Sequence, residues 1–170
     1  SRGFVVSLSG GADSAAITYL IAAMVELAAQ ELGLAATCER LGQPQTATPR
    51  ALVNQLLVCV YQATANSGEV TRNAARTVAE AVGAEFLVFD VEPLVQGYRG
   101  TVEKAIGREL TWERDDIALQ NIQARVRAPG VWMIANLRGA LLLATSNRSE
   151  AALGYATMDG DTCGGLSPIA

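Results

Sequence analysis

"FVVSLSGGADSAAITYLIAAM", residues 4–24, decides the fold. An apolar run breaks at Ser9-Gly10-Gly11-Ala12-Asp13-Ser14 and then resumes as an Ala-rich helical pattern. Residues 4–9 read as a short buried strand and 13–32 as a helix closed by Gly33, so the first unit is strand, glycine turn, helix. A Ser-Gly-Gly turn in front of a helix bares backbone N–H groups, and glycine lets a bulky anion approach the main chain. The two serine hydroxyls can donate to phosphate oxygens. Asp13 would repel a phosphate unless a divalent cation sat between them, which points to Mg²⁺. The spacing is neither the Walker nor the dinucleotide glycine pattern. The competing reading is a plain turn in which Asp13 or Ser14 caps the helix.

Outward from this unit, residues 34–50 suggest a short helix and a connection. "LLVCVYQ" (56–62) reads as a second buried strand, although a helix starting at Pro49 competes for it. Residues 66–83 carry cap residues, helical apolar spacing and a terminal glycine; 85–91 form a third strand and 93–107 a helix weakened by Gly97 and Gly100. Residues 113–138 look helical with a break near Pro129-Gly130, 140–146 form a fourth strand, and a helical turn over 149–155 precedes the loop "DGDTCGG". Strands alternating with helices predict an α/β fold, a parallel sheet with helices on both faces. Ligands bind such sheets at the carboxyl ends of the strands, which selects Ser9–Ser14, Tyr61–Ser67, Asp90 and Thr145–Glu150.

Composition narrows the chemistry. The 170 residues suit one domain, 1–170, and charges interrupt every long apolar run short of the roughly 18 residues of a membrane span, so no membrane partner is expected. Seventeen acids against thirteen bases give a net charge of −4 with the bases dispersed, a poor footprint for nucleic acid. Three cysteines without a Cys-x-x-Cys spacing suggest neither a disulfide framework nor structural zinc. Zero histidines exclude an imidazole base, triad or metal ligand within the chain. The opening Ser-Arg-Gly, without Met or a signal-type segment, raises the expectation of a piece of a longer cytoplasmic protein.

"SGGADS" after a strand resembles the PP-loop of the ATP pyrophosphatases, which cleave ATP between its α and β phosphates. Together with "YQATANSGEVTRNAA" (61–75) and residues 115–170, including "NIQARVR" and "ATSNRSEAALGYATMDGD", it resembles the synthetase domain of NAD synthetase, in the form usually fused to a glutaminase. The resemblance covers nearly the whole chain. It implies ATP-dependent amidation of deamido-NAD through an acyl-adenylate, with AMP and pyrophosphate released and ammonia drawn from glutamine. It also implies an N-terminal glutaminase domain and a C-terminal segment beyond this chain, and a homodimer or higher assembly.

By the same resemblance Ser9, Asp13 and Ser14 carry the chemistry; Ser9, Gly10, Gly11, Asp13, Ser14 and Thr145 bind ATP; and Asp13 and Glu150 hold Mg²⁺. Asn121, Arg125, Glu150 and Asp161 are implied to contact deamido-NAD, Asn121 and Arg125 being four apart on one helix face. Arg127 falls on another face, with a structural or dimer role expected. Asn66, Ser67 and Thr71 either approach ATP or cap a helix. Gly165 stands where many ammonia-using relatives have an acid. Two alternatives remain: another PP-loop ligase such as GMP synthetase, and a nucleotide-binding domain without catalysis.

Overall fold

In the computed structural model, which describes residues 2–169, the elements run β1 (Phe4–Ser7), α1 (Ala12–Leu32), α2 (Leu34–Arg40), α3 (Pro49–Leu56), β2 (Leu57–Ala63), α4 (Glu69–Val82), β3 (Glu85–Asp90), α5 (Glu92–Ile106), α6 (Trp112–Arg125), α7 (Arg127–Arg138), β4 (Leu141–Leu143) and α8 (Arg148–Leu153). The strands pair in the order β3-β2-β1-β4, all parallel. Val5 and Val6 of β1 are fully buried, and Leu57 to Gln62 of β2 are buried without a break. Such unbroken burial marks strands covered on both faces, which is why these segments are apolar runs rather than alternations.

Val6, Leu8, Cys59 and Tyr61 face Ile17, Ile21 and Val25 of α1, with Leu52 of α3 and Ala75 of α4 in the same cluster. Val5, Val58, Val60 and Leu142 face Val131 and Ala135 of α7. The predicted sheet with helices on both faces is therefore present. α1 is long and apolar enough to cross a membrane by length and composition. Here it lies on the sheet through its Ile17, Ile21 and Val25 face, and a core helix accounts for the pattern.

Three boundaries differ from the sequence reading, each for a local reason. Residues 49–63 form helix and strand in series: Thr48 caps α3 by accepting from Ala51 N at 3.1 Å, and the chain turns extended at Leu57. The break in 113–138 falls at Val126 rather than at Pro129. Pro129 sits in the first turn of α7, where a missing N–H removes no helical hydrogen bond. β4 ends at Leu143, and the chain returns beside it, Gly165 N donating to Leu142 O and Ala144 N to Leu166 O, both at 2.8 Å. A Cβ at Gly164 would lie 2.3 Å from Ala144 N, so this return needs glycine. Gly165 rests against the Leu141 side chain at the sheet edge, where an acid would point into packing.

Candidate active site

The loop after β1 is held by its own serines. Ser9 Oγ accepts from Gly11 N at 3.2 Å, while Ser14 Oγ donates to Gly11 O at 3.1 Å and accepts from Ser9 N at 3.3 Å. Gly10 has φ +87°, and a Cβ there would meet Thr71 O at 2.4 Å, so the loop lies directly on the first turn of α4. Gly11 is the N-cap of α1 and no side chain caps the helix. The capping alternative for Asp13 and Ser14 thus fails. An uncapped N-terminus at a glycine loop is a ready anion site.

Across from the loop, Asn147 ties the two acids of the site together. Its side-chain oxygen accepts from Glu150 N at 2.9 Å, and the Glu150 carboxylate accepts from Asn147 N at 3.2 Å, a reciprocal capping box at the start of α8. The same side chain donates through Nδ2 to Asp13 Oδ2 at 3.1 Å. Asp13 and Glu150 line one cleft of about 120 Å³ with Ser9, Gly11, Ser14, Thr145 and Asp161. A larger cavity of about 300 Å³ adjoins it and shares Ser9, Thr145 and Asp161. Its other walls include Ser7, Gln62, Asn66, Ser67, Thr71 and Arg127.

Within the larger cavity, Tyr61 Oη and Thr71 Oγ1 are hydrogen-bonded at 2.9 Å, and Gln62 Nε2 donates to Ser7 Oγ at 3.1 Å. Gln62 Oε1 is buried with no partner among the described residues. Burial lowers the Arg127 guanidinium from its ordinary value, with Asp161 opposing the shift; the group stays charged. Burial also raises the Cys163 thiol in the same wall.

The structure thus brings together Ser9, Gly11, Asp13, Ser14, Thr145, Glu150 and Asp161, and adds Asn66, Ser67 and Thr71 from the second junction. Asn121 and Arg125 lie elsewhere. Both line a groove between α5 and α6 and brace the loop that carries Asp161, Arg125 Nε donating to Met158 O at 3.0 Å and Thr157 Oγ1 to Asn121 Oδ1 at 3.5 Å. Asp90 accepts from Glu92 N at 3.1 Å and so organises the start of α5. Sequence reasoning missed Asn147 and the position of Arg127 in the wall of the larger cavity. The first was signalled by Asn-x-x-Glu before a helix, the second by Arg127 sharing a stripe with Val131 and Ala135, the buried face of α7.

This loop and its cleft, on a parallel sheet of this order, match one family over the whole chain: the family model for NAD synthase covers residues 1–170. The chain belongs to the NAD synthase family. It is 30% identical over 192 residues to the glutamine-dependent NAD(+) synthetase of Oryza sativa subsp. indica, covering 99% of this chain and 26% of that protein. The Homo sapiens glutamine-dependent NAD(+) synthetase is likewise 30% identical, with 98% of this chain and 27% of that protein covered. The crystal structure of the glutamine-dependent NAD(+) synthetase from Cytophaga hutchinsonii aligns with a TM-score of 0.94 at 47% identity, over 100% of this chain and 31% of that one. The chain therefore spans about a quarter to a third of the length of these relatives. At 24% identity and TM-score 0.69, the Acinetobacter baumannii enzyme solved with ADP shares the fold over 99% of this chain and 26% of its own.

Proposed function

We propose that this chain forms the ATP-using, amide-forming unit of a NAD synthetase. The observation that carries the reading is the meeting of two cavities at Ser9, Thr145 and Asp161: one is a phosphate-type cleft with three carboxylates, Asp13, Glu150 and Asp161, the other is large enough for the organic part of a ligand. ATP places its β and γ phosphates at the Ser9–Ser14 loop and its α-phosphate at the junction. The carboxylate of deamido-NAD attacks the α-phosphorus there, pyrophosphate leaves, and ammonia displaces AMP from the acyl-adenylate to form NAD. The detour is needed because a free carboxylate has no leaving group that ammonia can expel. The names of the relatives support glutamine as the ammonia source in the full-length protein.

The donor set fits Mg²⁺. Among the described residues no cluster of three metal-ligating side chains exists, and hydrogen bonds take only Oδ2 of Asp13 and Oε2 of Glu150, leaving the second oxygen of each. Two carboxylates completed by phosphate oxygens and water are the usual company of this ion. Bound there, Mg²⁺ supplies positive charge that offsets phosphate charge. Without histidine in the chain, the protein's own share is alignment by the loop and charge stabilisation by backbone N–H groups.

The test is pyrophosphate release by the full-length protein with ATP, Mg²⁺ and ammonium, offering deamido-NAD and xanthosine monophosphate in parallel. Release only with deamido-NAD, matched by NAD formation, is expected. Release only with xanthosine monophosphate would move the chain to the GMP synthetase reaction.

A further inference from the structure

Tyr61 of β2 and the Ser9–Ser14 loop are joined through one residue, Thr71 of α4. The Tyr61 ring is 3% exposed and packs in the cluster of Val6, Leu8 and Ile17, so the sheet fixes its direction. Its Oη lies 2.9 Å from Thr71 Oγ1, and Thr71 Oγ1 in turn donates to Gly68 O at 3.0 Å. A threonine hydroxyl has one proton and a carbonyl only accepts, so Tyr61 is the donor to Thr71. The bonds therefore run one way, from β2 through Thr71 to the N-cap carbonyl of α4, and tie the first turn of that helix to the sheet. No side-chain cap does this instead, because the N-cap of α4 is Gly68.

Thr71 is also what the loop rests on. Gly10 lies so close to the Thr71 main chain that a Cβ would stand 2.4 Å from Thr71 O and 3.2 Å from its Cα. Where backbone meets backbone at that distance neither can shift without the other, so the place of Thr71 sets the place of Gly10. The serine bonds among Ser9, Gly11 and Ser14 close within the loop and do not fix it against α4. Resting on the reading above that this loop receives the β and γ phosphates of ATP, we infer that Tyr61 is a positioning residue for the phosphate site. Its hydroxyl holds Thr71, and Thr71 holds Gly10 and the backbone beside it where phosphate is to bind. Such placement matters because misplacing a reacting group by about 1 Å can cost about a hundredfold in rate. Tyr61 lines the larger cavity as well, but its proton is taken up by Thr71, so it offers a nucleoside there no donor.

The experiment uses the full-length protein with Mg²⁺ and divides ATP into its two halves, inorganic pyrophosphate for the loop and AMP for the larger cavity. Dissociation constants are measured by calorimetry for the wild type, Tyr61→Phe, Thr71→Val, Thr71→Ser and the Tyr61→Phe/Thr71→Val double variant, with melting temperature as the folding control. Without the hydrogen bond the loop populates other placements, and apparent affinity falls with the fraction still competent, about three- to tenfold for one bond. Tyr61→Phe keeps the ring and is expected to weaken pyrophosphate by that factor while leaving AMP within about twofold. Thr71→Ser keeps the hydroxyl and should bind pyrophosphate as the wild type does. The double variant should be no weaker than Thr71→Val, because both substitutions remove the same bond. Unchanged pyrophosphate affinity in Tyr61→Phe, equal weakening of AMP, or losses that add in the double variant overturns the inference. If Tyr61→Phe does not fold, the Thr71 variants decide: equal pyrophosphate affinity in Thr71→Val and Thr71→Ser also overturns it. A wild-type protein that does not bind pyrophosphate overturns it too, since the inference needs phosphate in this loop. The expected binding effects without any NAD formation overturn the proposed function alone.

Discussion

Asn147 allows the cap of α8 to be separated from the support of Asp13 by substitution. Its Oδ1 caps the helix and its Nδ2 holds Asp13 at 3.1 Å. Serine is as good an N-cap as asparagine but has no second group with which to reach the acid, whereas alanine loses both functions. Asn147→Ala therefore costs about 1 kcal/mol in the cap, a fall of about 2–4 °C in Tm for a chain of this size. Asn147→Ser keeps the cap, so its Tm should lie about that much above the Tm of Asn147→Ala, both variants having lost the bond to Asp13. Both variants free Asp13 from a hydrogen bond to a charged acceptor, worth about 1.5–3 kcal/mol where partly buried. That energy holds the carboxylate in its cleft geometry, so both should lower pyrophosphate release about tenfold or more and raise the Mg²⁺ concentration needed for half-maximal rate. The assay is coupled pyrophosphate detection across a Mg²⁺ titration, beside thermal denaturation of the same samples. Wild-type release in Asn147→Ser, or a Tm loss there as large as in Asn147→Ala, would refute the separation of roles.

Asp13→Asn keeps a partner for Asn147 but removes the charge, so turnover should fall at least about a hundredfold with an unchanged far-ultraviolet spectrum; near-normal turnover would remove Asp13 from the mechanism. Gly10→Ala forces a side chain into φ +87° with its Cβ 2.4 Å from Thr71 O. About 1–3 kcal/mol of backbone strain is expected from the conformation alone, read by chemical denaturation, together with loss of ATP binding by calorimetry. The Arg108 side chain and then the Thr111 N–H hold the Asp115 carboxyl well below the usual carboxylate range. A depressed folded value means stability that is present above the unfolded pKa near 4 and lost as pH falls through the folded one. Asp115→Asn should flatten the acid limb of a denaturation-against-pH curve below about pH 4, and an unchanged slope there would show that the pair does not couple to folding.

How much of this was legible in the sequence depended on whether the signal was local. The first βα unit was readable because three local signals agree: an apolar strand, a glycine turn, and a helix ended by Gly33. Residues 49–63 were ambiguous because the helix period and the apolar run overlap at Leu56-Leu57, and only the pairing of Leu57 with Phe4 decides where one stops. β4 was overextended because Ala144 and Ser146 are buried by the returning segment around Leu166, a long-range contact without local trace. The same limit applied at the site. Ser9 to Ser14 and Glu150 follow from position at strand ends, whereas the bond from Asn147 to Asp13 spans most of the chain. Arg127 was read as lying on another face than Asn121 and Arg125, and its place in the cavity wall follows from the break between α6 and α7 at Val126, after which it shares the stripe of Val131 and Ala135.

The overall charge makes the local arrangement at the site more informative. A chain of net charge −4 and pI about 4.8 repels polyanions at long range, so its general field does not recruit them. On the proposed function, affinity for ATP and a dinucleotide acid must come from groups within a few ångströms. Its one lysine, Lys104, is on α5 and lines neither cavity, and most of its arginines are likewise outside them. What remains inside is the helix N-terminus behind the serine loop, the carboxylate pair suited to a divalent cation, and Arg127. On the proposed function, the first two sit where the phosphates of ATP would arrive, and Arg127 adds a positive charge in the adjoining cavity. Short-range devices of this kind favour ligands with anions at the right separation over anions in general. An amide-forming enzyme that must admit an acid and release its neutral amide needs that selectivity.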